Sequence, residues 1–282
     1  MMATKTINIK GQLLNLSQPI VMGILNVTPD SFYSESRKQG ETEIIERTRR
    51  IIEEGGQIID IGGQSTNPKS TFLTDDEELE RLRFALKIIN REFPDAVLSV
   101  DTFYSKVAKE CVEEYGVAVV NDISGGQLDN DMFATVARLG VPYILMHMRG
   151  TPQTMGQYTD YNNLIQDVFF YFSQKVAELH QLGVNDIIID PGFGFSKTVE
   201  QNYELMAALR GFSIFDLPIL AGISRKRMIY NLLGINSEES LNGTTVLNTF
   251  ALQNGANILR VHDVKEAVEA VRLCAELDKY KL

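Results

Sequence analysis

Residues 187–198 read IIIDPGFGFSKT. The three isoleucines form a β-branched apolar run of the kind found in strands buried on both faces. Asp190 ends the run, and Pro191 has no N–H to give to a sheet ladder. Gly192 and Gly194 permit turns that a side chain would block, and helical spacing resumes after Thr198. The stretch predicts a buried strand that carries a carboxylate to its C-terminal tip and opens into a glycine loop.

The same device recurs along the chain. Strand-like runs occupy 19–25, 57–61, 97–100, 117–120, 142–146, 218–221 and 257–259, besides 187–189. Helical patterns fall between them. Ile44, Ile45, Thr48, Ile51 and Ile52 share one helix face, closed by Gly55-Gly56. Thr74 and Glu77 form a capping-box signature ahead of Leu79, Leu82, Leu86 and Ile89. A long helix is expected over roughly 160–182, and one helical region runs through Ala251 to Gly255. Residues 6–16 read as a hairpin around Lys10-Gly11.

Eight βα units with no linker between them predict an α/β protein, a single closed (β/α)8 barrel. One domain is expected over 1–282, with an N-terminal hairpin in 1–17 as part of it. The composition, 44% hydrophobic and 23% charged over 282 residues, is enough for a full core. Cys111 and Cys274 lie on apolar helix faces and read as buried small residues, which suits a reducing compartment. No run approaches the ~20 apolar residues of a membrane span, and no signal-peptide core is present. A net charge of −10 argues against nucleic acid as the main partner but not against a small anion held by local cations. A soluble, cytoplasmic protein is expected.

In barrels of this kind the active site lies at the C-terminal strand ends. Here those ends carry Asn26, Thr66, Asp101, Asn121, His147, Asp190, Ser224, Lys226, Arg260 and His262. Each alone could be a cap or turn residue, as Asp101 could be for the helix after it. A full ring of polar groups points instead to a ligand that satisfies them, because buried unpartnered polar groups are costly. Asp101, Asn121 and Asp190 suit a flat heterocycle edge rich in N–H donors. Arg260, His262 and Asn26 suit an anion or a metal ion carrying one, and Lys226 suits either. The GFGFSKT stretch is not a P-loop, since Ser196 stands where glycine must precede the lysine, and Lys197 replaces the third glycine of a dinucleotide fingerprint. No His/Cys cluster has zinc spacing.

Eight motifs in order now mark a resemblance. GILNVTPDSF (23–32), DIGGQST (60–66), SVDT (99–102), NDISGG (121–126), MHMRGTP (146–152), DPGFGFSKT (190–198), GISRKR (222–227) and RVHDV (260–264) make the chain resemble the dihydropteroate synthases over about 20–270. That resemblance implies condensation of 6-hydroxymethyl-7,8-dihydropterin pyrophosphate with p-aminobenzoate in folate biosynthesis. It implies a pterin site of Asp101, Asn121, Met148, Asp190, Phe195 and Lys226. Pyrophosphate is expected at Asn26, Thr66, Arg260 and His262, with Mg²⁺ on Asn26. Ser224 and Lys226 are expected at p-aminobenzoate, and Asp101, Lys226, Arg260 and His262 would carry the catalysis. The polar loops 27–40 and 62–73 would close over the ligands, and family members commonly form homodimers.

The chain departs from the family twice. Gln64-Ser65-Thr66-Asn67-Pro68-Lys69 stands where the family usually has Glu-Ser-Thr-Arg-Pro-Gly, so the second loop exchanges its arginine for a lysine two positions on. Arg227 stands where a small serine is common, which predicts weaker sulfonamide binding; unchanged inhibition in an Arg227→Ser variant counts against that. The alternatives left open are a corrinoid-dependent methyltransferase of the wider pterin-binding family and a non-catalytic pterin-binding protein.

Overall fold

A computed structural model describes residues 5–27, 37–64 and 72–280. Eight parallel strands alternate with helices: β3 (Ile20–Asn26), β4 (Ile58–Gly62), β5 (Leu98–Asp101), β6 (Val119–Asp122), β7 (Tyr143–Met146), β8 (Ile187–Asp190), β9 (Leu220–Ala221) and β10 (Ile258–Val261). Their hydrogen-bonded order is β8-β7-β6-β5-β4-β3-β10-β9. A parallel bridge between Ile189 and Ile219, with the Ile189 N–H donated to Pro218 O at 2.9 Å, brings the two ends together as a barrel. The short β9 follows from Pro218, whose missing N–H leaves the ladder to start late.

Nine helices are seen among the described residues: α1 (Arg37–Glu53), α2 (Asp75–Glu92), α3 (Ser105–Tyr115), α4 (Met132–Leu139), α5 (Leu164–Gln181), α6 (Val199–Ala207), α7 (Arg227–Leu233), α8 (Leu241–Gln253) and α9 (Val264–Asp278). The Thr74–Glu77 capping box forms at the start of α2. The long helix starts at Leu164, later than its periodicity suggests, because Asn163 accepts the Gln166 N–H and caps it there. The single helical region expected before Gly255 is two helices, since Gly234 ends α7 in the left-handed conformation (φ 66°).

The hairpin is β1 (Thr6–Ile9) paired antiparallel with β2 (Gln12–Asn15). Ile7, Ile9 and Leu16 pack on Ile20, Ile58, Val119, Ile144, Ile188, Leu220 and Ile258, mostly the first residues of their strands. The hairpin therefore plugs the N-terminal mouth. Lys5 donates to Leu217 O (2.7 Å), and Asp186 accepts the Asn8 N–H (3.1 Å), which ties the plug to the barrel. Between strands and helices lies the main apolar layer, with both cysteines buried in it. Polar chemistry is left to the opposite mouth.

Candidate active site

Register builds the cup. Asn26 pairs with Gly62, Gly62 with Asp101 and Asp101 with Asn121, so one level of the barrel presents residues from β3 to β6; Asn121 pairs on with Ile144, and Asp190, opposite Met146, lies two residues further toward the mouth. Gly62 keeps this level open: a β-carbon there would meet Asn26 Oδ1 at 3.6 Å and Asp101 Oδ2 at 3.8 Å. Asp60, two residues earlier on β4, lies one layer beneath. From β10, Arg260 reaches past β3 and donates Nε to Asp60 Oδ2 and Nη2 to Asp101 Oδ2, each at 2.6 Å. Asn121 Nδ2 donates to the same Asp60 Oδ2 at 3.0 Å.

Asp190 faces the loop it was expected to open. Its Oδ1 accepts the Gly192 N–H at 2.8 Å. Gly192 (φ 74°) must lack a side chain, because a β-carbon would lie 2.1 Å from His147 O. Asp190 Oδ2 and Lys226 Nζ both lie against Gly222. Lys226 Nζ also donates to Phe193 O and stands 4.7 Å from the Phe195 ring centroid. Met148 and Phe195 join Phe103, Ile123 and Met146 in a small apolar cluster at this mouth. The cup thus has a polar floor and an apolar wall.

Electrostatics follow from burial. Burial pushes the Asp190 carboxyl upward against the pull of Lys226. Asp101 is likewise raised by burial, opposed by Arg260 and reinforced by Asp60 and Asp122. The Lys226 ammonium is lowered to about 8 by burial, with Asp190 acting the other way. His262 falls to about 4 through burial and the neighbouring Arg260, so the imidazole is neutral at neutral pH. Ser224 Oγ accepts the His262 backbone N–H (3.2 Å) and lies 3.1 Å from Nδ1, which fixes the ring.

Comparison with known proteins gives the family. Residues 22–262 match the family described as pterin binding enzyme. The dihydropteroate synthase of Escherichia coli strain K12 is 40% identical over 94% of this chain and 93% of its own, and that of Haemophilus influenzae is 36% identical over 92% and 94%. A Yersinia pestis dihydropteroate synthase, solved with a sulfonamide drug complex, superimposes with a TM-score of 0.89 at 36% identity, covering 98% of this chain and 100% of that one. The chain belongs to the pterin-binding enzyme family. Within it the chain is an enzyme of the dihydropteroate synthase group, a transferase with the barrel of that group.

Of the residues expected at the site of this synthase, Asp101, Asn121, Met148, Asp190, Phe195, Lys226 and Arg260 cluster as described, with Asn26 at the rim and Ser224 bonded to His262. Arg260, expected at pyrophosphate, is bonded to Asp101 of the expected pterin site and to Asp60 in the layer beneath. Thr66, Asn67, Lys69 and most of both polar loops lie outside the described residues. Gln64 is described, and its Oε1 accepts the Leu73 N–H (2.6 Å) at the base of the second loop. Arg227 is exposed at the start of α7.

Three contributors escape the strand-end rule. Asp60 sits inside a strand, where a lone carboxylate in IIDIG was the available signal. Lys197, set aside with the rejected phosphate-loop motifs, is buried and donates to His147 Nδ1, Gly192 O and Phe195 O, each at 3.0 Å. Arg47 of α1 donates to Ile24 O and to His262 O (2.7 Å), and nothing in its helical spacing sets it apart. A surface groove of about 560 Å³ along α3, lined by Lys106, Lys109, Glu110, Glu113, Glu114 and Tyr115, contains none of these residues.

Proposed function

We propose that this chain, as one barrel domain, joins 6-hydroxymethyl-7,8-dihydropterin pyrophosphate to p-aminobenzoate, giving 7,8-dihydropteroate and pyrophosphate for folate synthesis. The observation that carries the reading is the gathering of Asp101, Asn121 and Asp190 in one cup with Lys226 against Asp190. An amino-pyrimidine edge offers N–H donors to those acceptors, and Lys226 donates to a ring acceptor. Met148 and Phe195 supply apolar surface for the ring faces.

In the reaction the methylene–oxygen bond breaks and its electron pair leaves with pyrophosphate. Positive charge develops on the pterin methylene, close to the Asp101 carboxylate. The p-aminobenzoate nitrogen then forms the new bond and loses a proton to the solvent. Arg260 uses two of its five N–H groups on Asp60 and Asp101, so its remaining donors can take the leaving anion. His262, held through Nδ1 by the Ser224 hydroxyl, is arranged to offer Nε2–H to the same anion. Thr66 is assigned there from the motif alone. Ser224 and Lys226 border the space for p-aminobenzoate.

Asn26 has an exposed side chain at the tip of β3 beside Asp101, a hard oxygen donor suited to Mg²⁺ that keeps its waters and substrate phosphates as further ligands. No group of three or more His, Cys, Asp or Glu side chains able to hold a metal occurs among the described residues, so Asn26 is the proposed protein ligand. When bound, the ion neutralises charge on the leaving group. The chain is further proposed to act as a homodimer in the cytoplasm. No helix among the described residues is long and apolar enough to cross a membrane.

The test is pyrophosphate release with both substrates, one substrate, and with or without Mg²⁺. Release that needs both substrates and the ion is expected. In the Asp190→Ala variant pterin binding should vanish while the thermal transition persists; turnover retained in that variant would place the pocket elsewhere.

A further inference from the structure

Asp60 lies below the strand tips, and beyond holding Arg260 it has no role assigned above. It is fully buried within the apolar run of β4, and its Oδ1 has no hydrogen-bond partner. A buried carboxylate oxygen left without a partner is a cost that fold stability alone does not explain. What the side chain does make is specific. Its Oδ2 receives Nε of Arg260, which can only donate, and on the same oxygen it receives the side chain of Asn121. An oxygen engaged as an acceptor forces that amide to turn its nitrogen toward Asp60. The amide carbonyl of Asn121 is then the end left for a ligand.

We infer that Asp60 is a positioning residue that fixes the Asn121 amide with its carbonyl toward the pocket, and so makes the site selective for a heterocycle edge that donates hydrogen bonds. The inference rests on the proposed pterin reading. Without Asp60 the amide is free to rotate by half a turn and present N–H groups instead. Asp101 and Asp190 would still accept, but the third acceptor would be lost. Sites that hydrogen-bond a particular ligand group reject analogues lacking it by factors up to roughly 10⁴–10⁵. The orientation of one amide therefore bears directly on which heterocycle is admitted.

The experiment compares two ligands on the full chain: 6-hydroxymethylpterin and 6-hydroxymethyllumazine, which carries a carbonyl in place of the 2-amino group. Dissociation constants are measured by calorimetry for wild type, Asp60→Leu and Asp60→Asn. Wild type should favour the pterin strongly. Asp60→Leu should lower the lumazine-to-pterin ratio of dissociation constants tenfold or more. Asp60→Asn, whose amide oxygen can occupy the position of Oδ2, should keep the ratio within about threefold of wild type, since one good acceptor suffices. A purely structural role would weaken both ligands together and leave the ratio alone.

If Asp60→Leu does not fold, Asn121→Asp answers the same question. The new carboxyl can bond to Asp60 only with a proton between them, in a setting that also contains Arg260 and Asp101. Its affinity for 6-hydroxymethylpterin should fall at least tenfold relative to wild type between pH 6 and pH 8.5. An unchanged ratio in Asp60→Leu, or an Asn121→Asp profile parallel to wild type, overturns the inference. Wild type failing to bind 6-hydroxymethylpterin would overturn the function reading itself, and this inference with it.

Discussion

Lys197 and Lys226 share the neighbourhood of Asp190, and both ammonium groups are pulled down by burial, Lys197 to about 7 and Lys226 to about 8. Their partners separate their roles. Lys197 spends its N–H groups on His147, Gly192 and Phe195, and so fastens the loop after β8 to the loop after β7. Lys226 touches Phe193 O and the Phe195 ring, and stays beside Asp190. The charge on Lys226 is present below about pH 8 and lost as pH rises through that value. The KM for the pterin substrate should therefore climb above pH 8. A Lys226→Arg variant, charged throughout, should show a higher but flat KM from pH 7 to pH 10. A wild-type KM that stays level to pH 10 would remove Lys226 from pterin binding.

At the scale of an element, α2 carries the clearest tension. Its first turn is well made, with the capping box and four acidic residues at the positive end of the helix dipole. Yet Glu78, one residue past the box, is fully buried, and burial pushes its carboxyl up to about 8, helped by Asp101 and opposed by the Thr102 side chain. A folded-state value above the unfolded one means the native protein holds the proton longer. That contribution is complete below pH 4.5 and is lost as pH rises to about 8, at about 1.4 kcal/mol for each unit between. A Glu78→Gln variant should thus gain thermal stability over wild type at pH 8.5 and little at pH 4.5. Equal gains at the two pH values would show that the carboxyl is not held neutral.

On the scale of the whole molecule, the two mouths of the barrel are built differently. The hairpin plugs one, and the cup opens at the other. Truncating Ile7 to alanine should cost roughly 2–5 kcal/mol of stability, the usual range for a buried isoleucine. The KM for either substrate should not move, since Ile7 packs on the first residues of the strands rather than their tips; a changed pterin KM would show that the plug and the cup communicate. The outer layer carries Val246 and Phe250 on α8 and Leu273 and Leu277 on α9, each pair four residues apart and exposed, on helices that pack together. If the proposed homodimer forms there, a Phe250→Asp, Leu273→Asp double variant should sediment as a monomer. A double variant that still sediments as a dimer would move the interface elsewhere.

Much of this was legible in the chain alone. Strand runs and helical spacing mark the βα alternation, because local sterics and apolar periodicity act within a few residues. Asp101, Asn121, Asp190 and Lys226 could be named from their places at the ends of such runs. Asp60 showed only as a lone carboxylate in an apolar run, and Lys197 and Arg47 not at all, since their partners lie 200, 50 and 215 residues away in sequence. The closing bridge from Ile189 to Ile219 and the direction of Arg260 also depend on strands far apart in the chain. Sequence determined which residues stand at the mouth of the barrel. Only the tertiary structure decided how they face one another, because a hydrogen bond across a barrel is set by register and side-chain reach, neither of which is written in any one segment.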